Sequence, residues 1–439
     1  MLIKNIEVKG FWWRSKATAS FFTDVTIFIG KNGTGKTTFI NLIAAILTVD
    51  LVQLSTIQFA EATINLVDLN KKSGRKITVT TEQETSSYLS VYEYKIGTKK
   101  YNVYLDTRLR RYLLERENAR VERESFRYIS SESRREYLTL KRDIGELVEV
   151  SQISVNRQAS SDNFEVDTRQ KNTAVDERLQ QLFERFSRYQ LKLETQLNER
   201  STKFQQEALA SLLYNEEFDE FNSRRLSTIS EIDLETQEDK LSSAFKELGI
   251  QGKSEQIKKH INKLREAIKG LKESSTKGTV EVADVFALPL VSRTNKIIDL
   301  LNKSEEYKRK ITEPRQNFFD TLQSFMSNKK FIYDNKLGVL RFSLDVVKNE
   351  SFMWSSLSSG EKQLLIQFME VILQESRSLI FIADEPELSL HVTWQEKLLK
   401  ALRDLNENAQ LIVATHSPDI VAEFSENVID MEKVISNNV

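Results

Sequence analysis

Alternation of apolar and polar residues opens the chain: Met1-Leu2-Ile3-Lys4-Asn5-Ile6 predicts a strand over residues 2–10, and a second apolar run predicts one over 24–29. A glycine-rich turn follows, and residues 37–47 then read as a helix. Short alternating runs at 62–66, 76–80 and 88–103, the last folded at a Gly97 turn, predict a mostly antiparallel sheet. In the middle of the chain glycine and proline become sparse and the period changes. A β-like run at 148–155 and a polar loop at 157–173 precede a long helix over about 174–214. Along that helix Leu179, Leu182, Phe186, Tyr189, Leu193 and Leu197 follow three-and-four spacing, the pattern of a buried or partly coiled-coil stripe. Further helices are predicted near 253–273 and 291–328, with Pro314 placed to kink or divide the last. Strands return at 331–334 and 339–342 around an Asn335-Lys336-Leu337-Gly338 turn.

This order implies a head built from both ends of the chain. Its parts are residues 1–157 and 329–439, with 158–328 as a helical insertion between them. The chain has 439 residues, enough for two or more structural units. A formal net charge of -1 argues against a general nucleic-acid-binding surface. Residues 108–142 carry ten Arg and one Lys against six Glu, and are the best candidate for local DNA contact. The interleaved glutamates also fit a solvated helix face. Absence of cysteine excludes disulfides and thiolate metal sites. No apolar run reaches the roughly 18 residues of a membrane span, and the N-terminus lacks a signal peptide's apolar block, so a cytoplasmic location is expected.

Four short motifs carry the chemistry. Gly30-Lys31-Asn32-Gly33-Thr34-Gly35-Lys36-Thr37-Thr38 lies between a predicted strand and helix. There, successive backbone N–H groups and the helix N-terminus form a phosphate cradle. Lys36 is placed to reach the β- and γ-phosphates of a nucleotide, and Thr37 to put its hydroxyl on Mg²⁺. The apolar run Ile380-Phe381-Ile382-Ala383 ends in Asp384-Glu385-Pro386. A carboxylate at such a strand end is costly unless it meets a cation or a reacting water. Asp384 can thus hold the metal, and Glu385 can take the proton of the attacking water. Helix capping is the alternative role, since Pro386 follows. His416 closes the strand Leu411-Ile412-Val413-Ala414 and is placed to contact the γ-phosphate or to cap. Leu357-Ser358-Ser359-Gly360-Glu361-Lys362-Gln363 precedes an amphipathic helix and offers a second anion site. One cradle already exists, so this second site is best explained as serving a partner's nucleotide. Among Trp12, Trp13 and Arg14, adenine stacking and core packing stand equal.

Together these motifs resemble those of the ABC-type ATPases. The Walker A loop is Gly30 to Thr37, and the signature spans Leu357 to Gln363. Asp384 and Glu385 end the Walker B strand, and His416 is the switch histidine. The split head is similar to the branch containing RecF, the SMC and Rad50 proteins and the overcoming-lysogenisation-defect (OLD) family. The run Asp384-Glu385-Pro386-Glu387-Leu388-Ser389-Leu390-His391 is similar to OLD-like ATPases of anti-phage systems such as PARIS and Septu. Ser359 stands where transporters carry a glycine, and His391 where their D-loop ends in Asp. Both departures turn the resemblance away from transporters.

The resemblance implies an α/β fold: a split ABC-type P-loop head with a large helical insertion. It implies ATP and Mg²⁺ as cofactors, and Lys36, Glu385 and His416 as catalytic residues. It also implies a homodimer, extensible to a higher oligomer, in which Ser358, Ser359, Gly360 and Glu361 act in trans beside the D-loop Ser389, Leu390 and His391. The stretch after His416 is too short for the Toprim nuclease domain of OLD nucleases. A separately encoded, nuclease-type effector is therefore expected, with DNA or a phage component as trigger and no membrane partner. The alternative is a RecF- or Rad50-like repair or chromosome-maintenance ATPase acting directly on DNA.

Overall fold

The computed structural model describes residues 1–12, 15–68, 73–83, 89–106, 129, 131–153, 174–213, 234–277, 282–334, 339–344 and 351–437. The chain divides into two compact units. One joins Met1–Ser187 with Arg315–Val439, and the other is Arg188–Pro314.

The first unit is α/β. Its N-terminal part runs β1 (Leu2–Phe11), β2 (Ser15–Ser20), β3 (Val25–Ile29), α1 (Lys36–Thr48) and α2 (Leu51–Thr56). Then come β4 (Glu61–Val67), β5 (Gly74–Gln83), β6 (Leu89–Ile96), β7 (Lys99–Asp106), α3 (Ser131–Leu147) and β8 (Glu149–Ile153). The insertion helices are α4 (Ala174–Ala210), α5 (Leu234–Glu247), α6 (Ser254–Lys277) and α7 (Val282–Phe325). The return path is β9 (Lys329–Asp334), β10 (Val339–Leu344), β11 (Phe352–Met353), α8 (Ser359–Ile372), β12 (Leu379–Asp384) and α9 (Val392–Leu405). It closes with β13 (Ala409–Ala414), α10 (Pro418–Val421), β14 (Val428–Asp430), α11 (Met431–Val434) and β15 (Ile435–Asn437).

Two sheets sandwich α1. Seven strands in the order β15-β2-β1-β4-β5-β6-β7 pair antiparallel, as the alternating runs predicted. Five strands in the order β14-β3-β13-β12-β8 pair parallel. The parallel strands β12 and β13 are buried at every position, which is why they read as continuous apolar runs. Phe39 to Leu47 of α1 are all buried, and such an all-round apolar helix requires cover on every side. Residues of both sheets share one core cluster with it, including Tyr94, Val103, Ile382 and Ile412. Gln410 stitches the layers: its amide accepts from the Ile3 N–H at 2.8 Å and donates to the carbonyls of Ile3 and Phe22.

The root of α4 and the end of α7 belong to this same unit. Leu179, Leu182 and Phe186 are buried, and the Phe186 ring packs on Phe318, Phe319 and Tyr333. The buried carboxylate of Glu370 on α8 takes Arg178 and Arg185 of α4 and the Ser151 hydroxyl of β8. Near the start of α8, Lys362 pairs with Asp176 of α4 at 2.8 Å.

The second unit is helical. Leu241, Ile257, Ile261, Leu264, Ile268 and Val291 form one cluster, and Phe204, Ala208, Ala244, Leu300 and Leu301 another. Tyr189 and Leu193 of the stripe are buried here, while Leu197 is only half-buried.

The α/β head with a large helical insertion is the fold the sequence predicted, with several differences in its elements. Strand β2 and helix α5 were not foreseen. Helix α7 runs unbroken through Pro289 and Pro314, so Pro314 does not divide it. Proline removes one N–H bond and crowds the preceding turn. Burial of Phe318, Leu322 and Phe325 just beyond gives the helix packing that offsets the loss. The predicted loop at 157–173, the turn at 335–338 and most of the Arg-rich stretch lie outside the described residues.

Candidate functional site

All strands of the parallel sheet point the same way, so three motifs emerge along one edge. The register aligns Phe28 of β3 with Ala414 of β13, and Ala414 with Asp384 of β12. Gly30 therefore leaves β3 beside the point where Thr415 and His416 leave β13 and Glu385 leaves β12. Carboxyl ends of parallel strands are where open α/β sheets form binding crevices.

Residues 30–35 turn from β3 into α1. Gly35 caps the helix at φ 89, in the left-handed region. Any side chain there would also meet Trp12, whose ring carbon Cη2 would lie 2.7 Å from the added Cβ. Trp12 thus rests on the phosphate loop, stacked on Phe11 at 5.0 Å between ring centroids, and is 40% exposed. Trp13 and Arg14 are outside the described residues. From the C-terminal segment, Met431 faces Gly30 and Ile435 faces Gly35.

Lys36 is buried in the loop. Its ammonium donates to the carbonyls of Gly30 at 2.8 Å and Lys31 at 3.2 Å. Burial lowers its pKa, and the carboxylates of Glu385 and Asp384 oppose that shift. Thr37 donates its hydroxyl to Asp384 Oδ1 at 3.1 Å, joining the loop to the end of β12 across 347 residues of sequence. Burial pushes the Asp384 carboxyl upward, and the Thr37 hydrogen bond and the Lys36 charge pull it back. A hydroxyl and a buried carboxylate at a phosphate-loop edge are hard oxygen donors. They fit Mg²⁺, which keeps several waters and phosphate oxygens rather than an all-protein cage. Among the described residues there is no cluster of three or more His, Cys, Asp or Glu able to hold a metal.

Glu385 follows Asp384 at φ 47, a left-handed backbone unusual for a residue with a side chain. Its N–H donates to the Ala414 carbonyl at 2.8 Å. His416 is exposed at the end of β13. Thus Lys36, Thr37, Asp384, Glu385 and His416 share one edge. Lys31, Asn32 and Gly33 are exposed on the loop, and Thr34 closes it by donating its hydroxyl to the Lys31 carbonyl at 2.9 Å. Thr38 is half-buried on α1.

The signature residues are held separately, at the N-terminus of α8. Ser358 and Glu361 form a reciprocal capping box. Lys329 of β9 donates to Glu361 Oε1 at 2.6 Å, and this ion pair with the Ser358 bonds holds the Glu361 carboxyl below its usual range despite burial. Gly360 packs against the backbone of Ser389: a Cβ at 360 would lie under 3.0 Å from the Ser389 carbonyl oxygen, a separation real Cβ atoms essentially never show. Ser389 itself has φ 66. Leu390 is buried, and His391 caps α9 by accepting from the Thr393 N–H.

Sequence reasoning gave no role to three residues that the structure ties to the site motifs or to the elements that carry them. Glu387 bonds the turn that carries His416. Gln152 of β8 donates to Asn41 of α1 at 2.8 Å. Lys329 fixes Glu361. Only for Glu387 was there a signal, an acidic residue three places after Asp384 in a run that is otherwise apolar or turn-forming.

Among solved structures, the chain is similar to the Smc head domain with an extended coiled coil bound to the C-terminal domain of ScpA from Pyrococcus furiosus. That match has 13% identity and a TM-score of 0.42, over 99% of this chain and 95% of that one. It is also similar to the Smc head domain with a coiled coil and joint from Pyrococcus yayanosii, at 16% identity and a TM-score of 0.38, over 99% and 97%. Among curated proteins it is 29% identical over 150 residues to the Retron Ec83 probable ATPase of Escherichia coli, spanning 27% of this chain and 28% of the relative. The AAA ATPase domain family, AAA_15, matches residues 1–421, from the first strand through the phosphate loop and the acidic strand end to the helix beyond His416, and the chain belongs to that family.

Proposed function

We propose that this protein is an ABC-type Mg-ATPase whose two nucleotide sites are completed between two copies, and that it serves as sensor and scaffold of a bacterial anti-phage system with a separately encoded effector. The observation that carries the catalytic reading is the Thr37–Asp384 hydrogen bond of 3.1 Å at the shared strand edge, with Lys36 and Glu385 beside it. In this reading residues 30–38 cradle the phosphates. Thr37 and Asp384 would hold Mg²⁺, which when bound neutralises phosphate charge. Lys36 offsets charge on the β- and γ-phosphates. Glu385 takes the proton of the attacking water as its oxygen bonds to the γ-phosphorus and the bond to the bridging oxygen breaks, giving ADP and phosphate. His416 contacts the γ-phosphate and orients the water.

Ser358, Ser359, Gly360 and Glu361 of one copy would complete the site of the other, with Ser389, Leu390 and His391 lying at the same junction. Placement in phage defence rests on the resemblance to OLD-like ATPases and on similarity to a retron ATPase over part of its length. The trigger would act by binding two assembly states unequally.

The test is phosphate release by the purified protein. Glu385→Gln is expected to keep Mg-ATP binding and lose turnover by about 100-fold or more, and Lys36→Ala to weaken binding. Mixing Lys36→Ala with Ser358→Arg protein leaves one intact site in each mixed dimer, so activity should return. Unchanged turnover in Glu385→Gln refutes the base assignment. Absence of recovery despite proven subunit exchange refutes the shared sites.

A further inference from the structure

We propose that Glu387 is a positioning residue that fastens the turn carrying Glu385 to the turn carrying His416, so that these two groups hold one geometry. The inference rests on the roles proposed above for Glu385 and His416.

Glu387 is buried at the end of the acidic turn. Its Oε1 accepts two hydrogen bonds from the neighbouring turn, one from the Thr415 hydroxyl and one from the His416 N–H at 3.3 Å. The Thr415 hydroxyl in turn accepts from the Ser417 N–H at 2.9 Å. Ser417 donates its own hydroxyl to Gln395 Oε1 at 2.7 Å, and Gln395 donates to the Leu390 carbonyl at 3.0 Å. Residues 387 and 390 are therefore both tied to 415–417, one directly and one through Gln395. The Glu385 N–H makes a third tie, to Ala414. On the opposite side Gln367 of α8 donates to the Pro386 carbonyl at 2.9 Å.

Stability does not account for this carboxylate. Glu387 Oε2 is buried without a hydrogen-bond partner among the described residues, a cost that a smaller or apolar side chain would avoid. What the side chain does provide is one oxygen that grips the backbone of His416 from the turn that begins at Glu385. Without it, the exposed His416 loop keeps its strand and the Ser417–Gln395 tie but loses the bond that holds the His416 backbone itself to the turn beginning at Glu385.

The experiment measures turnover and affinity for a fluorescent ATP analogue with the full-length protein and five variants: Glu387→Ala, Glu387→Gln, Thr415→Val, His416→Ala and Glu387→Ala combined with His416→Ala. Glu387→Ala is expected to lower kcat by about 100-fold, the order expected when a reacting geometry slips by 1 Å, with nucleotide affinity nearly unchanged. Glu387→Gln keeps an acceptor oxygen and should retain most of the activity. Thr415→Val, which leaves the carboxylate in place, should share the kcat loss and covers the case in which Glu387→Ala fails to fold. Because Glu387 acts through His416, the double variant should be no slower than the slower single one. Multiplying losses, or wild-type turnover in both Glu387→Ala and Thr415→Val, overturns the proposal. Lys36→Ala and Glu385→Gln run alongside. If those two also turn over normally, the site reading itself fails. If they are inactive while the Glu387 and His416 losses multiply, only the coupling is wrong.

Discussion

Gly360→Ala is expected to lower both stability and turnover, although alanine is the better helix former. The position lies in the first turn of α8, where exchanging glycine for alanine would by propensity alone gain up to about 1 kcal/mol. At Gly360, however, the new Cβ would fall under 3.0 Å from the Ser389 carbonyl oxygen, while ordinary van der Waals contact begins at 3.4 Å. The obstacle is backbone, so it cannot rotate away. Relief requires α8 or the 385–390 turn to move by about 1 Å, and overpacking of this kind costs about 1–3 kcal/mol. With the propensity gain taken in full, the net is a destabilisation of up to about 2 kcal/mol. Because the same shift displaces residues 358–361 against residues 389–391, which are proposed above to complete the partner's nucleotide site, turnover should fall by about 100-fold. Gly145→Ala is the matched control. It lies near the end of α3, exposed, with nothing within 4 Å of an added Cβ, and should stabilise by about 0.5 kcal/mol. The assay is the urea midpoint followed by tryptophan fluorescence, paired with phosphate release. If both variants shift the midpoint in the same direction, or Gly360→Ala turns over normally, the close approach of α8 to Ser389 does not have the consequence argued.

Removing Arg178 and Arg185 together leaves the Glu370 carboxylate buried with only the Ser151 hydroxyl, and should cost on the order of 3 kcal/mol by urea titration. Adding Glu370→Met to that double variant should recover part of the loss, and no recovery would mean that the arginines act by packing alone. Asp143 accepts from Lys99 Nζ at 2.7 Å and Tyr101 Oη at 2.5 Å, which together hold its carboxyl at about 2. Its folded-state value lies below the unfolded one, so its contribution is complete above about pH 4 and fades as pH falls through 2. Asp143→Asn should flatten the acid limb of the stability profile in that window and leave the neutral region nearly parallel to wild type.

Legibility followed the range of the interactions involved. The phosphate loop, the acidic strand end and His416 were readable because each motif states its chemistry within a few consecutive residues. The parallel strands β12 and β13 were readable because burial on both faces leaves an unbroken apolar run. Strand β2 was not, since Ser15-Lys16-Ala17-Thr18-Ala19-Ser20 points only the small Ala17 and Ala19 inward with Ser15 and gives a weak apolar signal. Helix α5 hid behind a mostly polar sequence whose inward residues, Leu241 and Ala244, meet partners from other helices. Glu387 stands out in its run as an acidic residue, but its role could not be read, for another reason. Its partners, Thr415 and His416, are 28 and 29 positions away, and only the parallel register of β12 and β13 brings them alongside.

Strand β3, which leads into the phosphate loop, has β13 on one side and β14 on the other. Both neighbours lie in residues 409–430, beyond the insertion, so neither exists while the ribosome is still making the insertion. During synthesis the antiparallel strands β4 to β7 and the insertion helices, whose contacts are local, can form first. The strand leading to Gly30 must wait with an open edge on each side until residues 409–430 have been made. Closing such distant pairings late is slow and leaves apolar strand edges exposed to other chains. A nascent chain stalled before residue 409 should accordingly be a client for chaperones, and nucleotide binding should appear only once residues 409–430 have emerged.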